Sequence, residues 1–266
     1  MSTLSTTAIK RGKRTIVVVG NRAQELITVS LLLQRFEYEV VSASTAAQAL
    51  ERVSEAVPAL IITDLTLPGL SGVDLLNLLR QDRRSASIPV VYLVPISDAA
   101  SQRQCLNLGA AGCISKPVQA EELYRAVQAA IEPWPRESIR IDTRLPVSVD
   151  NEPLDYGGEE CEIDLSEQGM FVPMQKPYPR NRRVTVQISI NDRTISAEGA
   201  VLYCHTPGEG RSRERGIGLK FVNIAPHDQE FIRTFIRDEI DRDIKAALSC
   251  EASNDPCAGQ GRDQAS

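Results

Sequence analysis

The chain has 266 residues, 42% hydrophobic and 24% charged, which is enough for two ordinary domains. Its net charge of −5 gives no overall pull toward nucleic acid or an anionic membrane, and no apolar run approaches the roughly 20 residues that span a bilayer. Six cysteines form no CxxC pair or zinc-like spacing, and the two histidines, His205 and His227, lack a neighbouring nucleophile or ligand set, which argues against a zinc enzyme or a histidine-dependent hydrolase.

Residues 1–13 are polar, and disorder is expected there. The opening MSTLSTTAIKRGKRT has no apolar stretch after its charges, so no secretory signal is expected and a cytoplasmic location follows. From Thr15 to about Ile131, apolar runs (TIVVV, YEVVSA, ALIITD, PVVYLV, GCISK) alternate with helix-length segments near 22–36, 45–56, 72–83, 99–109 and 119–131. Strands that are continuously apolar belong to a sheet covered on both faces. Five β-α units therefore predict an α/β doubly wound five-stranded parallel sheet over residues 14–131, with its site at the C-terminal ends of the strands.

EPWPR (132–136) places two prolines around the only tryptophan, a stiff linker. Beyond it lie segments with alternating patterns: LPVSVD, ECEIDLS, GMFVPM, RVTVQISI, RTISAEGAVLYC and GIGLKFV. They predict a small antiparallel β-barrel over residues 136–247. A C-terminal helix is expected from about His227 to Ala247, with Phe231, Ile232, Phe235, Ile236 and Ile240 at helical spacing. Residues 248–266 are read as a disordered tail.

Within the first half, Asp64 closes an apolar strand and leads into LTLPGLSG, and Lys116 closes the fifth strand before Pro117. This D-x-x-L-P-G-x-S-G stretch, with the SKP tripeptide, resembles the response-regulator (CheY-like) receiver domain. The resemblance implies a phosphoacceptor role for Asp64, with Lys116 pairing to the phosphoryl group and Mg²⁺ completing the site. Four residues depart from the pattern. Gly20-Asn21 stand where two acidic metal ligands are usual, Val94 where a hydroxyl is usual, and Cys113 where an aromatic switch residue is usual. A hard cation needs anionic oxygen ligands, so the Mg²⁺ site is expected to be lost and no metal is predicted. The domain reads as a degenerate receiver used for protein–protein contact, compatible with a homodimer.

In the second half, Arg136-Glu-Ser-Ile-Arg140 is followed by Asp164-Leu-Ser166-Glu-Gln-Gly169. Arginine offers a planar fork of donors for phosphate or guanine, and can stack on a purine. A carboxylate at 164 can accept guanine N1–H and N2–H, and a hydroxyl at 166 falls on the same strand face. The ordered pair RxxxR and DxSxxG resembles the PilZ domain, and the resemblance implies binding of cyclic di-GMP by Arg136, Arg140, Asp164, Ser166 and Gly169. The arginines 180, 182, 183, 211, 213 and 215 are read as solvated surface or a basic rim. The whole chain thus reads as a bacterial signalling adaptor without catalytic residues. Partners expected are cyclic di-GMP and a protein, with neither DNA nor membrane. Two other readings stay open: an interaction protein with neither ligand nor phosphorylation, or a regulator gated by phosphorylation of Asp64.

Overall fold

The computed structural model describes residues 14–95, 103, 106–133, 135–154, 161–205 and 215–253. The expected disorder of residues 1–13, most of the expected helix over 99–109, Trp134, Arg211, Arg213, Cys105 and Cys257 lie outside the described residues. Two compact units are built on residues 15–133 and 134–237.

The first unit runs β1 (Thr15–Val19), α1 (Ala23–Arg35), β2 (Glu39–Ala43), α2 (Ala46–Glu55), β3 (Leu60–Asp64), α3 (Gly72–Gln81), β4 (Val90–Pro95), β5 (Gly112–Lys116) and α4 (Ala120–Ile131). All pairings are parallel, in the order β2-β1-β3-β4-β5. β3, at the centre, is buried along its whole length, as a strand covered by helices on both faces must be. Each of Leu60, Ile61 and Ile62 stabilises the core by roughly 2 kcal/mol on burial. Local chemistry sets the helix starts. Thr45 Oγ1 accepts the Gln48 N–H at α2, and Ser71 and Asp74 cap α3 reciprocally. Strand order reverses around β1 and β3, so the residues after those strands open onto one crevice.

The second unit holds β6 (Ile141–Leu145), β7 (Val147–Val149), β8 (Glu152–Pro153), β9 (Cys161–Ser166), β10 (Gly169–Pro173), β11 (Arg183–Ile190), β12 (Arg193–His205), β13 (Gly216–Ile224) and the start of α5 (Pro226–Ser253). Its antiparallel sheet has the order β6-β9-β10-β13-β12-β11-β7-β8. β6 and β7 are one run of chain interrupted at Pro146, yet they pair at opposite sides of the sheet, with β9 and with β11. That shared run curls the sheet around a core of Ile163, Leu165, Val172, Val186, Ile188, Val201 and Leu219. Proline cannot donate to a ladder, so it sits where the partner changes, and its carbonyl accepts the Ser189 N–H at 3.0 Å.

Two boundaries differ from expectation. The first expected strand segment is LPVSVD, but residues 141–145 already form a strand of their own before Pro146. The helix runs to Ser253 rather than Ala247 because no proline or glycine interrupts residues 248–253.

Candidate functional site

Each unit carries a cluster of charged residues around an aspartate, buried in the parallel unit and half-buried in the antiparallel one. In the parallel unit, Asp64 ends β3 and Lys116 ends β5. Lys116 Nζ lies 2.6 Å from Asp64 Oδ1 and 2.5 Å from Glu25 Oε2, and Glu25 also accepts from Arg22 Nη1 at 2.9 Å. Burial pushes the Asp64 carboxyl above its ordinary value, an effect that Lys116 only partly offsets. Burial alone would lower the Lys116 ammonium, but hydrogen bonds and charge from Asp64 and Glu25 together outweigh it and raise its pKa. For Glu25 burial acts upward, and Lys116 with Arg22 overcomes it to leave the group below the usual range.

This donor set does not fit Mg²⁺. Gly20 has no side chain, and a Cβ there would stand 3.1 Å from Asp64 Oδ2. Asn21 offers a neutral oxygen. Among the described residues no three His, Cys, Asp or Glu side chains gather as a metal group, and the nearby carboxylates are bridged by an ammonium. Val94 is fully buried and cannot hydrogen-bond a phosphoryl oxygen. Opposite Cys113 in the register is Tyr92, whose hydroxyl donates to Gly72 O at 3.0 Å inside the core.

In the antiparallel unit, the β9–β10 hairpin carries Asp164, Ser166 and Gly169. Inward residues Cys161, Ile163 and Leu165 are buried, which turns Asp164 and Ser166 to the other face. Ser166 is buried, and its hydroxyl donates to Gly169 O at 2.9 Å, closing the turn. Gly169 is required by β13 rather than by a left-handed turn, since a Cβ would meet Leu219 O at 2.1 Å. From α5, Arg233 Nε pairs with Glu167 at 2.5 Å and Gln229 donates to Glu167 O at 3.3 Å, fixing the turn from behind.

Arg136 is exposed and Arg140 half-buried in the segment entering β6. The register sets Asp142 of β6 opposite Asp164 of β9. Burial, then a hydrogen bond shared with Asp142 and the charge of Asp142, push Asp164 up to about 7, while Arg140 and Arg136 draw it down. Both arginines therefore act on the carboxyl with which the motif associates them.

Comparison with known proteins agrees with both architectures. Residues 16–128 match the response regulator receiver domain and residues 135–238 match the PilZ domain. The chain joins a receiver domain to a PilZ domain. It is 30% identical over 153 residues to the transcriptional regulatory protein KdpE of Mycobacterium tuberculosis, covering 57% of this chain and 65% of that protein. It is 29% identical over 169 residues to the DNA-binding response regulator MtrA of the same species, covering 62% and 72%. The chain thus spans about 65% of the length of KdpE. Among solved structures, the receiver domain of NtrX from Brucella abortus overlaps 45% of this chain and 99% of its own, with 26% identity and a TM-score of 0.42.

The PilZ domain gathers Arg136, Arg140 and Asp164 electrostatically and puts Ser166 and Gly169 on the same hairpin. The receiver domain brings Asp64 and Lys116 into contact. Two residues escaped the sequence reading. Asp142 becomes visible only once β6 is paired with β9, although Ile141-Asp-Thr-Arg-Leu145 does alternate. Glu25 reaches Lys116 from 91 residues away, and no spacing announces it. Of the expected basic rim, Arg182 pairs with Asp150 at 2.9 Å and lies 3.8 Å over Tyr178, and Arg183 pairs with Glu198 at 2.8 Å. Both are structural partners within the sheet and its loops.

Proposed function

We propose that the protein is a cyclic di-GMP-responsive signalling adaptor that works in the cytoplasm without catalysis of its own. Its PilZ domain binds the dinucleotide through Arg136, Arg140, Asp164, Ser166 and Gly169. The observation that carries this is that the charges of both arginines act on Asp164, beside a hairpin turn closed by Ser166 and Gly169. The guanidinium groups take the phosphodiesters or stack on guanine. Asp164, once ionised, accepts guanine N1–H and N2–H. Adenine has no donor at N1 and would leave that carboxylate unpaired, so the site selects guanine.

The receiver domain acts through protein contacts instead of a phosphorelay. Lys116, held between Asp64 and Glu25, already supplies the positive charge that a metal would otherwise bring to these carboxylates. No helix among the described residues is long and apolar enough to cross a membrane.

Calorimetry of the full chain tests the ligand half. Cyclic di-GMP should bind, cyclic di-AMP should bind far more weakly, and Arg140→Ala should lose affinity. Equal heats for wild type and Arg140→Ala would sink the assignment. Incubation with Mg²⁺ and acetyl phosphate tests the receiver half, and stoichiometric labelling that disappears in Asp64→Asn would overturn it.

A further inference from the structure

On the outer face of the β6–β9 ladder, consecutive rungs carry opposite kinds of pair. Arg144 faces Glu162, a complementary couple with Nη2 and Oε2 3.5 Å apart. The neighbouring rung sets Asp142 against Asp164, two carboxyls in side-chain hydrogen-bond contact. Directly opposed like charges destabilise a sheet, and two carboxylates can hydrogen-bond each other only when one carries a proton. The pair is not symmetric, because Asp142 is exposed and Asp164 half-buried. The buried member therefore holds the proton in the ligand-free protein, consistent with its raised titration.

Charges face this pair from several elements. Arg136 and Arg140 come from the segment before β6. Arg144 and Glu162 occupy the next rung. β10 presents the uncharged Phe171 opposite Asp164, and β13 adds Lys220 opposite Gly169. Glu137 accepts from Gln168 at 3.3 Å, and Glu167 is paired with Arg233.

A guanine edge requires Asp164 to be ionised, yet a dinucleotide with two phosphodiester charges disfavours a second naked carboxylate beside it. We propose that Asp142 is a further residue of the ligand site, taking the proton from Asp164 when cyclic di-GMP binds, so that the singly protonated pair is the binding-competent form. This rests on the ligand reading above. The proton crosses an existing hydrogen bond, from the Asp164 carboxyl to the Asp142 carboxylate. Asp142 then donates back to Asp164 while Asp164 accepts the two guanine N–H groups. Atoms and charge balance within the pair, and no proton leaves it.

The pH dependence follows. Below neutrality the pair is already singly protonated and affinity is at its plateau. Above about pH 7 the pair must recover a proton to bind, and affinity falls up to tenfold per pH unit. Calorimetric titration of the full chain with cyclic di-GMP from pH 6 to 8.5 should weaken roughly thirtyfold. Measured at pH 8.5 in buffers of different ionisation enthalpy, it should take up close to one proton. In Asp142→Asn the amide donates permanently to Asp164, so the slope should vanish and the variant should bind more tightly than wild type at pH 8.5. A flat or rising wild-type profile, or an unchanged slope in Asp142→Asn, would overturn the proposal while leaving the binding assignment intact. No wild-type binding at any pH would remove the binding assignment and this inference with it. Carboxyl carbon NMR of the ligand-free protein then reads the pair separately. One proton lost near neutrality supports it, and two ordinary carboxylate titrations refute it.

Discussion

The two halves of this protein each draw a strand aspartate out of water, Asp64 fully and Asp164 in part, and they compensate it by different means. In the receiver domain an ammonium does so, with Lys116 in contact with Asp64 and Glu25 together. In the PilZ domain the compensating group is a second carboxyl, Asp142, and the arginines act on the cluster from the segment beside it. A cluster whose charges are matched by side chains of its own fold gains little from an incoming anion. A cluster of two carboxyls beside two guanidinium groups has both hydrogen-bond acceptors and cations to offer. The same residue type thus reads as closed in one domain and receptive in the other.

The largest effects should come from geometry that the PilZ site cannot relax. Gly169→Ala places a Cβ 2.1 Å from Leu219 O, and should destabilise the PilZ domain by about 3 kcal/mol or more in urea unfolding, with the receiver transition unaffected. Arg136→Ala should weaken cyclic di-GMP binding by roughly ten- to a hundredfold, as expected for losing charge-assisted hydrogen bonds of about 1.5–3 kcal/mol. The loss should shrink at high salt, where the charge contribution is screened.

On the receiver side, Lys116→Met removes the ammonium between Asp64 and Glu25, and should cost about 2 kcal/mol of receiver stability at pH 7. Cyclic di-GMP affinity should not follow. A parallel loss of affinity would break the contrast between a closed cluster and a receptive one.

A smaller effect is written in pH. The folded-state value of Asp164, about 7, lies above its ordinary 3.8, so the folded state binds the proton more tightly than the unfolded chain. That stabilisation is complete below about pH 4 and is lost as pH rises through about 7. Unfolding of the ligand-free PilZ domain should therefore become easier across that window. Asp142→Asn should flatten the dependence and be the more stable protein at pH 8.

Much of the scaffold was readable in the chain. The continuous apolar run before Asp64 announced a central parallel strand, and the alternation in Arg183–Ile190 announced one buried face. ECEIDLS and GMFVPM were legible as the strands on either side of DxSxxG, and the reason for its glycine then proved to be the approach of β13. What resisted reading was non-local. The partnership of Asp142 with Asp164 depends on register, which follows from pairing β6 with β9 and from no property of IDTRL alone. Glu25 reaches Lys116 only because the parallel order puts β1 and β3 side by side, an arrangement no spacing records.

The strand interrupted at Pro146 has a consequence for how the PilZ domain is made. Residues 141–149 pair with β9 on one side and β11 on the other, so the earliest strand to be synthesised must wait for residues 183–190 before its second partner exists. Until then one rim of the nascent sheet stays unpaired, which makes this a slow, high-contact-order closure. A chain trimmed to begin beyond Pro146 would keep that vulnerability permanently. β9 would present a bare hydrogen-bonding edge, and self-association by strand addition is the outcome to expect.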